Sequence, residues 1–289
     1  MRLRLALTLS GAVSLGAYEA GVLAALLMAI QSLEGDIVID VIAGASAGAI
    51  TGLLAARSLL RGANPVELMT KAWVERDDLK DLLSHDLESP LSSSVLSAMA
   101  TDLLGPTYAG GVPDGPFRQN EKIQLSFALT NLQGLAYRIP SLQRTTPIEA
   151  TTYLDWVDFT LSKDDPAATY VDKAELALAS GANALGFPPK LLDRTGDEET
   201  LLKAGITNFP SSGHYWYTDG GTVDNEPLGR TIDFVNGIKT DDARLFLLVG
   251  TSSHVPRGQY PLDRSEAATQ LDEYRSPLVR DQTDSIDLR

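Results

Sequence analysis

Two short stretches carry residues arranged for chemistry: Gly44-Ala45-Ser46-Ala47-Gly48, and Asp219-Gly220-Gly221. A serine on a sharp turn between a buried strand and a helix has its hydroxyl lifted clear of the sheet, and only small neighbours fit so strained a turn. A hydroxyl held that way is suited to attack a carbonyl. The plainer alternative is that Ser46 caps the helix that follows it. Attack also needs a base for the proton and N–H donors for the oxygen that becomes negative. Asp219 is the candidate base, because the two glycines after it let the backbone turn sharply and approach another loop; taken alone, the same residues describe an ordinary turn. The segment Ser10-Gly11-Ala12-Val13-Ser14-Leu15-Gly16, between the first strand and the first helix, is the candidate source of donors; an ordinary glycine turn is the plainer alternative. The segment lacks the spacing of a dinucleotide fingerprint, and no Gly-Lys-Ser/Thr occurs in the chain.

Histidine is the usual partner of a serine nucleophile, and the chain has three: His85, His214 and His254. His85 lies in a polar stretch and His214 in a loop before a strand. His254 follows the last apolar run, so Ser46, Asp219 and His254 have the chain order of an α/β-hydrolase triad. Against that reading, the serine turn of such enzymes normally follows several strands, and only two precede Ser46. With no cysteine, disulfides and thiolate metal ligands drop out, and neither metal nor cofactor is expected.

These residues need elements to position them. Arg2 to Leu9 reads as a strand ending at Ser10-Gly11, and from Ala17 the period changes, with Tyr18, Val22, Leu26 and Ile30 at helical spacing. Val38 to Ala43 is a short apolar run of the kind buried on both faces of a sheet, and Ala49 to Leu60 is an alanine- and leucine-rich helix. Two successive strand-turn-helix units predict an α/β fold with a mostly parallel central sheet. Pro65 to Glu75 is a helix with Asn64 as its cap. Residues 77–120 are polar, serine-rich and broken by proline and glycine, and read as an excursion from the sheet or a lid, with one helix near Val95 to Leu104. The apolar stripe of that helix, Val95, Leu96, Met99, Leu103 and Leu104, fits a packed core helix better than one that covers the site or touches lipid. Further strands are predicted at Ile123 to Thr130, Leu135 to Ile139, Val157 to Leu161, Tyr215 to Thr218 and Leu245 to Val249, the last of them buried. Helices are predicted at Tyr170 to Leu178 and Pro227 to Val235. Residues 1–250 form one expected domain, and 251–289 a polar tail or an incomplete extension.

Composition narrows the partners. A net charge of -14 argues against nucleic acid, which wants a basic stripe, and against anionic membranes unless an apolar patch does the docking. Transient contact with a membrane surface stays open on those terms, and the sequence does not fix an oligomeric state. The basic start and apolar run of residues 1–30 resemble a secretory leader, but Gly11, Gly16 and Glu19 interrupt it, and a cytoplasmic location is expected.

Four stretches occur in the order seen in patatin-like phospholipases. They are the first turn with Gly16-Ala17-Tyr18-Glu19-Ala20-Gly21-Val22-Leu23, the Gly-x-Ser-x-Gly at Ser46, Ala179-Ser180-Gly181-Ala182 with Phe187-Pro188-Pro189, and Asp219-Gly220-Gly221 leading to Asn225 and Pro227. The resemblance spans Leu5 to Val249. It implies a three-layer α/β/α fold and a Ser-Asp dyad that hydrolyses lipid acyl esters without metal, with Ser46 matching the nucleophile, Asp219 the base and Gly11 to Val13 the oxyanion loop. Gly16, Gly44, Gly48, Gly220, Gly221 and Asn225 support these motifs. Two departures stand out: Ala12 and Val13 replace glycines, and Leu15 stands where the family carries a basic residue. A member weakened by that loop, binding lipid without turning it over, is the remaining alternative. For a working base, burial should raise the carboxyl of Asp219 above its ordinary range.

Overall fold

The computed structural model describes residues 2–12, 15–31, 33, 36–75, 82–83, 89–106, 108, 121–139 and 147–250. The chain opens as anticipated: β1 (Leu3–Leu9), helix α1 (Gly16–Gln31), β2 (Ile37–Gly44) and helix α2 (Ala47–Arg61). β1 and β2 pair in parallel, which a strand-turn-helix-strand unit produces naturally. α2 is apolar on every side and almost wholly buried, so it is the central helix of its layer. Helix α3 (Pro65–Thr70) is capped by Asn64, whose side chain accepts from the Val66 and Glu67 N–H groups. The expected single helix to Glu75 instead widens into a π-helical turn at Lys71–Glu75 that carries Trp73.

After helix α4 (Ser93–Leu104) come β3 (Lys122–Ile139), β4 (Ile148–Ser162), helix α5 (Ala167–Ser180), β5 (Lys190–Asp193), helix α6 (Glu198–Lys203), β6 (His214–Asp219), helix α7 (Leu228–Gly237) and β7 (Ala243–Val249). The sheet order is β5-β6-β3-β2-β1-β7, with β4 also on β3. Four adjacent strands, β3-β2-β1-β7, are parallel and run to one edge of the sheet; β4, β5 and β6 join through antiparallel pairings. The two strands expected across residues 123–139 are one long strand. Asn131 makes the apparent break: its side chain accepts from the Gln133 and Gly134 N–H groups and kinks the strand without ending it.

Alternation along β1 separates the layers. Leu9 faces α2, meeting it at Gly52, while Thr8 points the other way and its hydroxyl lies 2.7 Å from that of Thr231 on α7. Helices therefore cover both faces. The main core lies between the sheet and α1, α2 and α5, built from Leu7, Leu9, Leu23, Ile42, Leu53, Phe127 and Tyr170. β7 is a correction: it is an edge strand, and Leu245, Phe246 and Leu248 are exposed, so an unbroken apolar run here did not mean burial on both faces. Among the described residues no helix is long and apolar enough to cross a membrane. Residues 251–289 and much of 77–120 lie outside the described residues.

Candidate active site

Ser46 sits between the end of β2 and the start of α2, and it is the one described non-glycine residue with positive φ, at 52° with ψ -122°. That backbone is the strained turn the small neighbours predicted. Gly48 cannot be replaced within it, because a Cβ there would run into the backbone oxygens of Leu9 and Ser10. The side chain makes no capping bond to α2. Its Oγ instead donates to Asp219 Oδ2 at 3.0 Å, across 173 residues of chain. Both residues are buried, with 6% of Ser46 and 4% of Asp219 exposed.

Asp219 ends β6, and Gly220 follows as the first residue of a short turn. Asp219 Oδ1 accepts from the Gly221 N–H at 2.8 Å, so the residue is both a turn former and the partner of the serine. Its second oxygen also faces Asn183 Nδ2 at 3.5 Å. Burial pushes the Asp219 carboxyl above its ordinary value, opposed by the bonds from Gly221, Ser46 and Asn183. Gly44, as the last residue of β2, and Gly16, against the Trp73 ring at the head of α1, take up the other motif positions.

The donor loop is arranged differently from the expectation. The Gly11 N–H is spent on the Asn225 carbonyl at 2.9 Å, and Asn225 Nδ2 returns a bond to the Gly11 carbonyl at 3.1 Å. Gly11 is thus the brace of the loop rather than a donor in it, and its missing side chain is what admits Asn225 and Ser46 so closely. Asn225 thus clamps the Ser46 side through Gly11, and its Oδ1 also lies against Gly221 in the Asp219 turn. Among the described residues nothing takes the Ala12 N–H; Val13 lies outside them. His254 also lies outside, as does His85, and His214 sits at the opposite end of β6 from Asp219.

Three contributors were missed in the sequence. Ser180 Oγ accepts the Ser46 N–H at 2.9 Å, fixing the strained turn from α5. Asn183 aims its amide at Asp219 while its own Oδ1 accepts from the Leu185 N–H. Ala47 opens α2, where a helix leaves N–H groups without intrahelical partners, directly beside the nucleophile. Position next to Ser46 was the available signal for Ala47, and the Ala179-Ser180-Gly181-Ala182 motif was one for Ser180, whereas Asn183 is joined to the site only by folding.

From Ser46 a cavity of about 410 Å³ runs between α2, α4 and α5. Its walls are apolar, with Leu54, Trp73, Leu96, Met99, Leu103 and Phe187 among them, and Asn183 stands beside Ser46 as a polar wall residue. The apolar stripe on α4 therefore lines the space above the serine as well as packing on the body of the protein.

With this geometry in place, the match of the chain to known families is informative. The model of the patatin-like phospholipases matches residues 7–232. The chain belongs to the patatin-like phospholipase family. This agrees with the resemblance of the four motifs and with the α/β architecture. No curated protein sequence matches it. Among solved structures, VipD from Legionella pneumophila is 14% identical with a TM-score of 0.38; the alignment covers 93% of this chain and spans about half, 52%, of that one.

Proposed function

We propose that this member of the patatin-like family is a lipid acyl hydrolase, an esterase or phospholipase of the A type, that works through Ser46 and Asp219 and an acyl-enzyme. The observation that carries the reading is the 3.0 Å bond from Ser46 Oγ to Asp219 Oδ2 at the end of an apolar cavity. Asp219 accepts the hydroxyl proton as Oγ attacks the ester carbonyl, returns it to the departing alkoxide, and then takes a proton from the water that clears the acyl group. Burial makes the carboxylate a better base than an ordinary aspartate. The N–H groups of Ala12 and Ala47, with no backbone partner among the described residues, are the donors offered to the growing negative charge, and each such donor is worth about 10²–10³ in rate.

The cavity walls suit a hydrocarbon chain, which places the acyl group inside and the alcohol outward. A series of p-nitrophenyl esters of graded length, with one phospholipid, tests this beside Ser46→Ala and Asp219→Ala. Turnover by the parent and at least a ~10²-fold loss in both variants is expected. Background hydrolysis by the folded parent, with no labelling by a fluorophosphonate, would point instead to a lipid-binding member without turnover.

A further inference from the structure

Glu19 is a buried carboxyl that the proposed chemistry does not use. It lies on α1 with 0% of its surface exposed, and its Oε1 accepts a bond from Ser10 Oγ at 3.1 Å. Its Oε2 is buried and has no partner among the described residues. An acid in such a place is costly when charged, because nothing answers the second oxygen. Burial accordingly pushes its pKa up to about 7, opposed by the Ser10 bond.

Ser10 is the residue before Gly11, and its own N–H is held by the Val249 carbonyl at 3.0 Å. The backbone at Gly11 in turn packs against Ser46 and is clamped by Asn225. Glu19 thus grips the base of the segment that leads to the Ala12 donor. No other charge balances it from the packed elements. On α2, Arg57 reaches the Gly105 carbonyl and the Tyr170 ring, and Arg61 reaches the Lys163 and Asp165 carbonyls. On α3 and its π-helical turn, Glu67 and Lys71 pair with each other and Glu75 is exposed. Beyond the Ser10–Gly11 segment, the titratable group is Asp219 itself.

We propose that Glu19 is a positioning residue for the oxyanion segment, holding Ser10 so that the Ala12 N–H faces the nucleophile, and that its ionisation sets a negative charge behind the site. The Ser10 hydroxyl bonds the charged form at least as well, so the change lies in the field and not in the loop. A second negative charge behind the site opposes the one that forms in it. This inference rests on the hydrolase reading above.

The test is the dependence of kcat and KM on pH for the parent, Glu19→Gln, Glu19→Leu and Ser10→Ala, on a water-soluble p-nitrophenyl ester, with circular dichroism at each pH to follow folding. The parent kcat should fall by about tenfold from roughly pH 7 to 8.5 while the protein stays folded. In Glu19→Gln that alkaline fall should vanish, whatever the absolute rate. Glu19→Leu and Ser10→Ala should lose kcat severalfold with KM little changed. An alkaline fall in Glu19→Gln that overlays the parent's overturns the proposal while leaving the hydrolase reading intact, and this arm stands even if Glu19→Leu does not fold. A folded parent with no Ser46-dependent turnover overturns both.

Discussion

At the level of single residues, the balance of forces on Asp219 sets when the site can work. Its carboxyl is raised by burial and pulled back down by three hydrogen bonds, one of them from Asn183. Replacing that amide with an apolar side chain removes a bond to the charged form, so the pKa rises further. The base must be ionised to accept a proton, and activity is lost as pH falls through its pKa. Asn183→Leu is therefore expected to move the acid limb of the kcat/KM profile to higher pH, which a profile measured beside the parent will read directly. Ser46 and Asp219 were legible in the sequence because each sits in a motif with its own local geometry. The Gly11 brace was not, because whether an N–H is free depends on a carbonyl at Asn225, more than two hundred residues away.

At the level of elements, α4 decides how much room lies above the serine. Met99 is on its cavity face, opposite the α5 residues Ala174 and Ala177. Met99→Trp adds bulk that the cavity must absorb, and the expected result is a shift of preference toward shorter acyl esters, with the rate on the shortest ester changed least. A chain-length series for the two proteins checks it. The helix itself was readable from its apolar spacing, and so were β1, α1, β2 and α2. The short β5 and α6 were missed, since four to six residues give too little periodicity to register. Most of β4 escaped as well: from Ile148 to Leu154 no side chain is buried, so no apolar face announces it. The antiparallel strands follow from pairings, β4 and β6 with β3 and β5 with β6, that no local pattern encodes.

Across the whole molecule, β6, the strand that ends in Asp219, is tied to the rest of the sheet by a buried polar knot. Arg194 bonds to Asp155 at 2.8 Å and to the Tyr217 hydroxyl at 2.6 Å, and that hydroxyl donates to Asp155 at 2.6 Å. Arg194 and Asp155 are each almost fully buried. Such a pair adds little over apolar packing, but removing one partner strands a charge, at a cost of about 3–5 kcal/mol. Arg194→Met should lower the urea midpoint accordingly, and Asp155→Leu with Arg194→Met should recover much of the loss. Tyr217 precedes Asp219 by two residues on the same face of β6, so the single variant should also blunt turnover below its unfolding transition.

The positive φ of Ser46 carries a thermodynamic consequence. A backbone held there costs on the order of 1–3 kcal/mol for an ordinary side chain, while glycine tolerates it and gives back only about 0.5–1 kcal/mol through its looser unfolded chain. Ser46→Gly and Ser46→Ala both delete the hydroxyl, but only the first relaxes the turn. In calorimetry the glycine protein should melt above the alanine one by roughly 1 kcal/mol of stability. The reactive centre would then be a place where the molecule forgoes heat resistance to keep one oxygen poised.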